Sequence, residues 1–153
     1  MPDGIELSSL IPGTAEGRLC GGNITILASL AGTPYELRGD GGILFLEDTY
    51  ESPYQLDRDL LQLYQSGLLS RVQGIVFGLF PDQDGHAAER EEYDDIIAHY
   101  ASLAGKPAIK NFPAGHTEYN IYLPLGTRGR LTASEDGTAS LELLESPAVP
   151  KGR

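Results

Sequence analysis

The segments "ILFLED" (43–48) and "GIVFGLF" (74–80) constrain this chain most, because each is an apolar run of strand length without polar alternation. A strand with one face in water alternates in polarity, whereas a strand covered on both faces does not. Between the two runs Leu56, Leu60, Leu63 and Tyr64 recur at helical spacing, with Pro53 suited to a first turn and Gly67 to a C-terminal stop. Strand, helix, strand is the repeating unit of a parallel sheet. An α/β domain is expected, with a mainly parallel central sheet and 43–48 as a central strand.

The rest of the chain extends this pattern. "GRLCGGN" reads as a short strand broken by a glycine pair, and "NITILASLAG" as a helix capped by Asn23 and closed near Gly32. Over 89–103, Tyr93, Ile96, Ile97 and Tyr100 form the inward face of a helix, while Glu89, Glu91, Glu92, Asp94 and Asp95 form a solvated face. "KPAIKNF" reads as a third core strand and "YNIYLPL" as a fourth. "GRLTAS", "EDGT" and "ASLELLE" make a closing antiparallel hairpin. With Pro2, Gly4, Pro12 and Gly13, residues 1–12 read as a loosely held lead-in, and the final "SPAVPKGR" is expected to fray. A length of 153 residues fits one domain, placed at 13–146 between that lead-in and a flexible tail at 147–153.

Charge and cysteine usage exclude several classes of function. A net charge of -11 repels phosphate backbones and leaves no basic stripe, so nucleic acid is not an expected partner. The single cysteine, Cys20, excludes an internal disulfide framework and fits a reducing compartment. "MPDGIELSSLIPG" lacks the basic start and apolar stretch of a signal peptide, and the longest apolar runs are too short to span a bilayer. A soluble, cytoplasmic protein with no membrane partner is the expectation.

In an open α/β sheet, reactive groups collect beyond the carboxyl ends of the strands. Glu47 stands at such an end and is expected to be partly buried, with Asp48, Glu51 and Asp57 solvated or paired with Arg58. His116, in "FPAGHTEYNIYLPLG", follows a glycine just past a predicted strand, at the same end of the sheet. His86, in a polar loop, and His99, on a helix, read as incidental. A glutamate and a histidine brought together at the sheet's rim can form the orienting half of a catalytic triad, the carboxylate fixing the imidazole tautomer. From spacing alone Glu47 reads as structural or as a simple cap sooner than as catalytic. No G-x-S-x-G elbow supplies a nucleophile: Ser8 and Ser9 lie in the lead-in, Ser29 and Ser66 in helices, and Ser134, Ser140 and Ser146 near the tail. Cys20 reads as packing. Glu47, Asp48, Glu51 and His116 match no metal-ligand spacing, and the glycine pair lacks the lysine of a phosphate loop, so no metal or cofactor is expected.

Four segments taken in order, "GRLCGGNITILASLAGTPY", "GGILFLEDTYESPYQLDRDLLQLYQSGLL", "GIVFGLF" and "GHTEYNIYLPLG", resemble the LD-carboxypeptidases, or muramoyltetrapeptide carboxypeptidases. These are serine peptidases, and the family includes the microcin C immunity peptidases. The resemblance covers roughly residues 13–129. It implies a swivelling β/β/α domain, the C-terminal half of an enzyme whose N-terminal domain carries the serine and oxyanion hole. It makes Glu47 and His116 the catalytic glutamate and histidine, with Asp48, Glu51 and Asp57 bracing the loop. The implied substrate is a cytoplasmic murein tetrapeptide that loses its terminal D-alanine during cell-wall recycling. A homodimer without cofactors is also implied. The nucleophile-bearing domain would then lie in another chain or be lost, leaving this chain inactive alone; an exposed apolar patch where that domain would have docked is expected in this case and under the alternative. The alternative is a non-catalytic module that binds muropeptides or a protein partner.

Overall fold

The apolar runs become strands whose two faces serve two different cores. In the computed structural model, residues 6–80, 87–118 and 120–147 are described, without the side chains of 87–90. The expectations placed on His86, on the side chain of Glu89 and on residues 148–153 of the tail lie outside the described residues. The elements run β1 (Ser8–Ile11), β2 (Gly13–Asn23), α1 (Ile24–Leu30), β3 (Ile43–Glu47), α2 (Pro53–Gln65), α3 (Leu68–Arg71) and β4 (Gly74–Gly78). They continue with α4 (Ala87–Ala104), β5 (Ala108–Phe112), β6 (Arg128–Ala133) and β7 (Ala139–Leu143).

All seven strands join one sheet in the order β1-β5-β4-β3-β2-β6-β7. The four central strands, β5 to β2, are mutually parallel, while β1, β6 and β7 add antiparallel pairs at the two sides. The sheet curls until Ser9 N–H donates to the carbonyl of Gly137 in the β6–β7 turn at 2.9 Å, so its two ends almost meet. Alternate strand residues Leu44, Leu46, Ile75 and Phe77 pack outward against the helices, which contribute Leu56, Leu60, Leu63 and Ile97. Their neighbours Ile43, Phe45, Val76 and Ile109 pack inside the curl with Leu19 and Leu131. Both faces are dry, which is why neither run alternates in polarity.

Helix α2 begins as the sequence predicts, and its Ser52 cap forms a reciprocal capping box with Gln55. Its Tyr64, expected inward, is 39% exposed. Strand β2 is longer than expected and runs straight through the glycine pair instead of breaking at it. Gly21 makes this possible: a Cβ there would lie 2.0 Å from the carbonyl oxygen of Phe45 on the neighbouring strand.

Two expectations are overturned. The lead-in is not wholly loose, because Ser8–Ile11 pairs with β5 in the register Ser8↔Lys110 and Ser9↔Ile109. "YNIYLPL" supplies no strand over its described residues 120–125. Ile121 N–H is taken by the carbonyl of Pro113 at 2.7 Å, and Pro124 has no N–H to give a ladder. That bond closes a loop with His116 inside it.

Candidate functional site

Parallel pairing sets the site. The β2–β3 register ends on Asn23↔Glu47, and the β3–β4 register reaches Leu46↔Phe77, so Glu47 leaves the sheet between Asn23 and Gly78 at the carboxyl rim. The β5 strand ends nearby at Phe112, and the following loop carries His116 back over that rim. The loop is tied by the Pro113–Ile121 bond and by Gly115 N–H donating to Asn120 Oδ1 at 3.4 Å.

His116 Nδ1 lies 2.8 Å from Glu47 Oε2, and the backbone N–H of His116 donates to that same oxygen at 3.2 Å. The glutamate side chain is 6% exposed and the imidazole 60% exposed, so a buried carboxylate holds a ring that solvent can reach. The hydrogen bond to Glu47, then its charge and a smaller contribution from Asp48, hold the imidazole above its ordinary pKa of 6.5. A carboxylate accepts and does not donate, so Nδ1 carries the proton and the neutral ring keeps its lone pair on Nε2.

Asp48, expected to be solvated or paired with Arg58, is instead buried at 4% exposure. It accepts from Asn23 Nδ2 at 2.7 Å and from Thr25 N–H, Thr25 Oγ1 and Thr49 N–H, each at 2.9 Å. These bonds tie the start of α1 to the end of β3, immediately beside Glu47. Arg58 pairs with Asp59 at 2.9 Å, and Asp57 accepts from the Tyr100 hydroxyl at 2.9 Å. Asp59 also lies 3.2 Å from Thr25 Oγ1, with Glu51 3.5 Å from the same hydroxyl. The sequence marked Asn23 only as a helix cap; nothing in its spacing announces that Asn23 and Thr25 converge on Asp48.

Beside this pair lies an open cleft of about 430 Å³, lined by Gly22, Phe45, Gly115, Asn120, Ile121 and Tyr122 among others. Ile121, Tyr122 and Leu125 around it are 50%, 82% and 51% exposed, an apolar rim continuous with the loop that presents His116.

The remaining candidates sit in structural roles. Cys20 packs on the helix-side core, and burial pushes its thiol pKa up, away from the reactive thiolate. His99 is on α4 against the ring of Tyr100. The hydroxyls of Ser29 and Ser66 donate to carbonyls one helical turn back. Among the described residues, no group of three or more His, Cys, Asp or Glu side chains is arranged to hold a metal ion. Nor is any described helix long and apolar enough to cross a membrane.

Comparison with known proteins identifies the family. The family model for the LD-carboxypeptidase C-terminal domain matches residues 16–131. The probable murein peptide carboxypeptidase of Bacillus subtilis (strain 168) is 38% identical over 137 residues, 89% of this chain and 43% of that protein. The murein tetrapeptide carboxypeptidase of Pseudomonas aeruginosa is 38% identical over 116 residues, 72% of this chain and 36% of its own length. The crystal structure of muramoyltetrapeptide carboxypeptidase from Oxalobacter formigenes superposes with a TM-score of 0.78 at 33% identity, covering 94% of this chain and 50% of that one. The chain therefore spans less than half the length of these curated relatives, and what it matches in them is one domain. By its sequence and its fold, it belongs to the LD-carboxypeptidase family as a C-terminal domain.

Proposed function

We propose that this domain supplies Glu47 and His116 to a Ser-Glu-His triad that releases the terminal D-alanine from cytoplasmic murein tetrapeptides. The nucleophilic serine and the oxyanion donors come from a second domain that is not among these 153 residues. The observation that carries this reading is the 2.8 Å contact between a buried carboxylate and an exposed imidazole. In the reaction, His116 Nε2 takes the proton of the serine hydroxyl as its oxygen attacks the scissile carbonyl. Glu47 holds the ring and stabilises the imidazolium. The same nitrogen then protonates the leaving amine as the C–N bond breaks, freeing D-alanine and leaving an acyl-enzyme. Water activated by His116 hydrolyses that ester and restores the serine.

The chain by itself is inactive in this scheme, because triad logic puts nearly all turnover on the presence of the nucleophile. The apolar rim of Ile121, Tyr122 and Leu125 supports docking of the serine-bearing domain at the cleft. Assembly as a homodimer belongs to the same proposal.

A mixing experiment tests it. The separately produced N-terminal half of the Bacillus subtilis relative, added to this chain, is expected to restore D-alanine release from a murein tetrapeptide. Release is expected to vanish with Glu47→Gln or His116→Ala. A folded mixture that binds tetrapeptide and frees no D-alanine would instead support the non-catalytic binding module.

A further inference from the structure

Glu47 stands between two glycines from different parts of the chain, and each lies against it where a side chain would go. A Cβ on Gly115 would stand 2.8 Å from Glu47 Oε2 and 3.0 Å from both its Cβ and Cγ. A Cβ on Gly78, at the end of β4, would stand 3.0 Å from Glu47 Cβ and 2.8 Å from the carbonyl oxygen of Ala114. Gly115 therefore walls the length of the side chain up to the oxygen that meets His116, while Gly78 closes its base.

Gly115 also immediately precedes His116, whose N–H and Nδ1 both reach Oε2. Its φ of +117° turns the chain so that the backbone N–H and the imidazole of the next residue meet one oxygen. We infer that Gly115 is a positioning residue, and that with Gly78 it forms a side-chain-free slot that holds the Glu47 carboxylate in the one place where it can reach the imidazole. This rests on the triad reading only for its purpose; the slot itself is a statement about geometry. A side chain at position 115 drives the carboxylate out of the slot and uncouples it from the ring, even where the fold survives.

The test needs no second domain and no turnover, so it can fail while the peptidase reading stands, and the reverse. The His116 pKa is followed by NMR titration of the chain in the parent and in Gly115→Ala, with thermal unfolding measured in parallel. The parent imidazole, held up by its bond to Glu47, is expected to titrate above the ordinary 6.5. In Gly115→Ala it is expected to fall to the value found in Glu47→Gln. Gly126→Ala is the control for backbone strain alone, since Gly126 has φ +88° and open space where a Cβ would go. It is expected to lower the melting temperature and leave the His116 titration unchanged.

If Gly115→Ala fails to fold, the double variant Gly115→Ala with Glu47→Ala decides the matter. Cutting Glu47 back to its Cβ removes the Oε2 and the Cγ that the new side chain would meet and leaves a single contact of 3.0 Å, so folding is expected to return. A folded Gly115→Ala with the parental His116 pKa overturns the inference. So does a double variant that remains unfolded, because the glycine would then serve the backbone and not the carboxylate.

Discussion

Glu47 Oε2 and His116 Nδ1 stand 2.8 Å apart although 69 positions separate them in the chain. The parallel sheet makes this possible: β3 delivers the glutamate to the rim, and the loop after β5 brings the histidine back across β4, with both strands ending on the same side.

Charge coupling in this pair predicts a pH signature. The imidazole pKa is raised in the folded state by Glu47, so His116 binds its proton more tightly folded than unfolded. The resulting stability is fully present below the ordinary pKa of 6.5 and is lost as pH rises through the higher folded value. Glu47→Gln is therefore expected to lower the His116 pKa and to be more destabilising, relative to the parent, on the acid side of that window than at pH 9. NMR titration and denaturation at several pH values measure the two effects, and an unshifted His116 in Glu47→Gln would contradict the coupling.

The Asp48 carboxylate is expected to matter for stability more than its place in an acidic loop suggests. Asp48→Ala leaves Asn23 Nδ2, Thr25 N–H and Thr49 N–H without their acceptor in a buried setting. Loss of charge-assisted bonds of this kind costs about 3 kcal/mol. Urea denaturation should show that loss, with Asp48→Asn milder because its carbonyl still accepts. A change below about 0.5 kcal/mol, the range of ordinary surface substitutions, would show that the network is not structural.

A late-titrating tyrosine is expected on the helical side. Burial first, then the hydrogen bond to Asp57, pushes the Tyr100 hydroxyl up to about 12. Its neutral form is favoured by folding, so this contribution holds below pH 10 and is lost as pH rises through about 12. Ultraviolet titration should show a tyrosine ionising near pH 12, and Tyr100→Phe should remove it. The same variant deletes a tie between α4 and α2 and is expected to cost about 1 kcal/mol.

The sheet was legible because its central strands announce themselves. The runs at 43–48 and 74–80 have no polar face, and Pro53, Gly67 and Asn23 mark helix ends with residues whose backbone chemistry suits those places. That Glu47 and His116 lie at one rim was legible from the strand ends that carry them, whereas a catalytic role for the pair came only from the family resemblance, since spacing alone favoured a structural Glu47. The Ser8–Ile11 strand was hidden by its polar start and flanking proline, because an edge strand needs only backbone pairing. The apolar character of 120–125 misled in the other direction: Ile121, Tyr122 and Leu125 are half or more exposed along the cleft and fill no sheet core. Gly115, Thr25 and the burial of Asp48 could not be read at all, because their roles exist only once β2, β3 and the His116 loop meet at the rim.

The most direct test of the account is the tautomer of His116, read from its ring ¹⁵N shifts at a pH above its titration. A ring bonded through Nδ1 to Glu47 is expected to be protonated on Nδ1, with the free pair on Nε2 where a serine hydroxyl would need it. A neutral His116 protonated on Nε2 would contradict the pairing and, with it, the assignment of this domain as the base-supplying half of a peptidase.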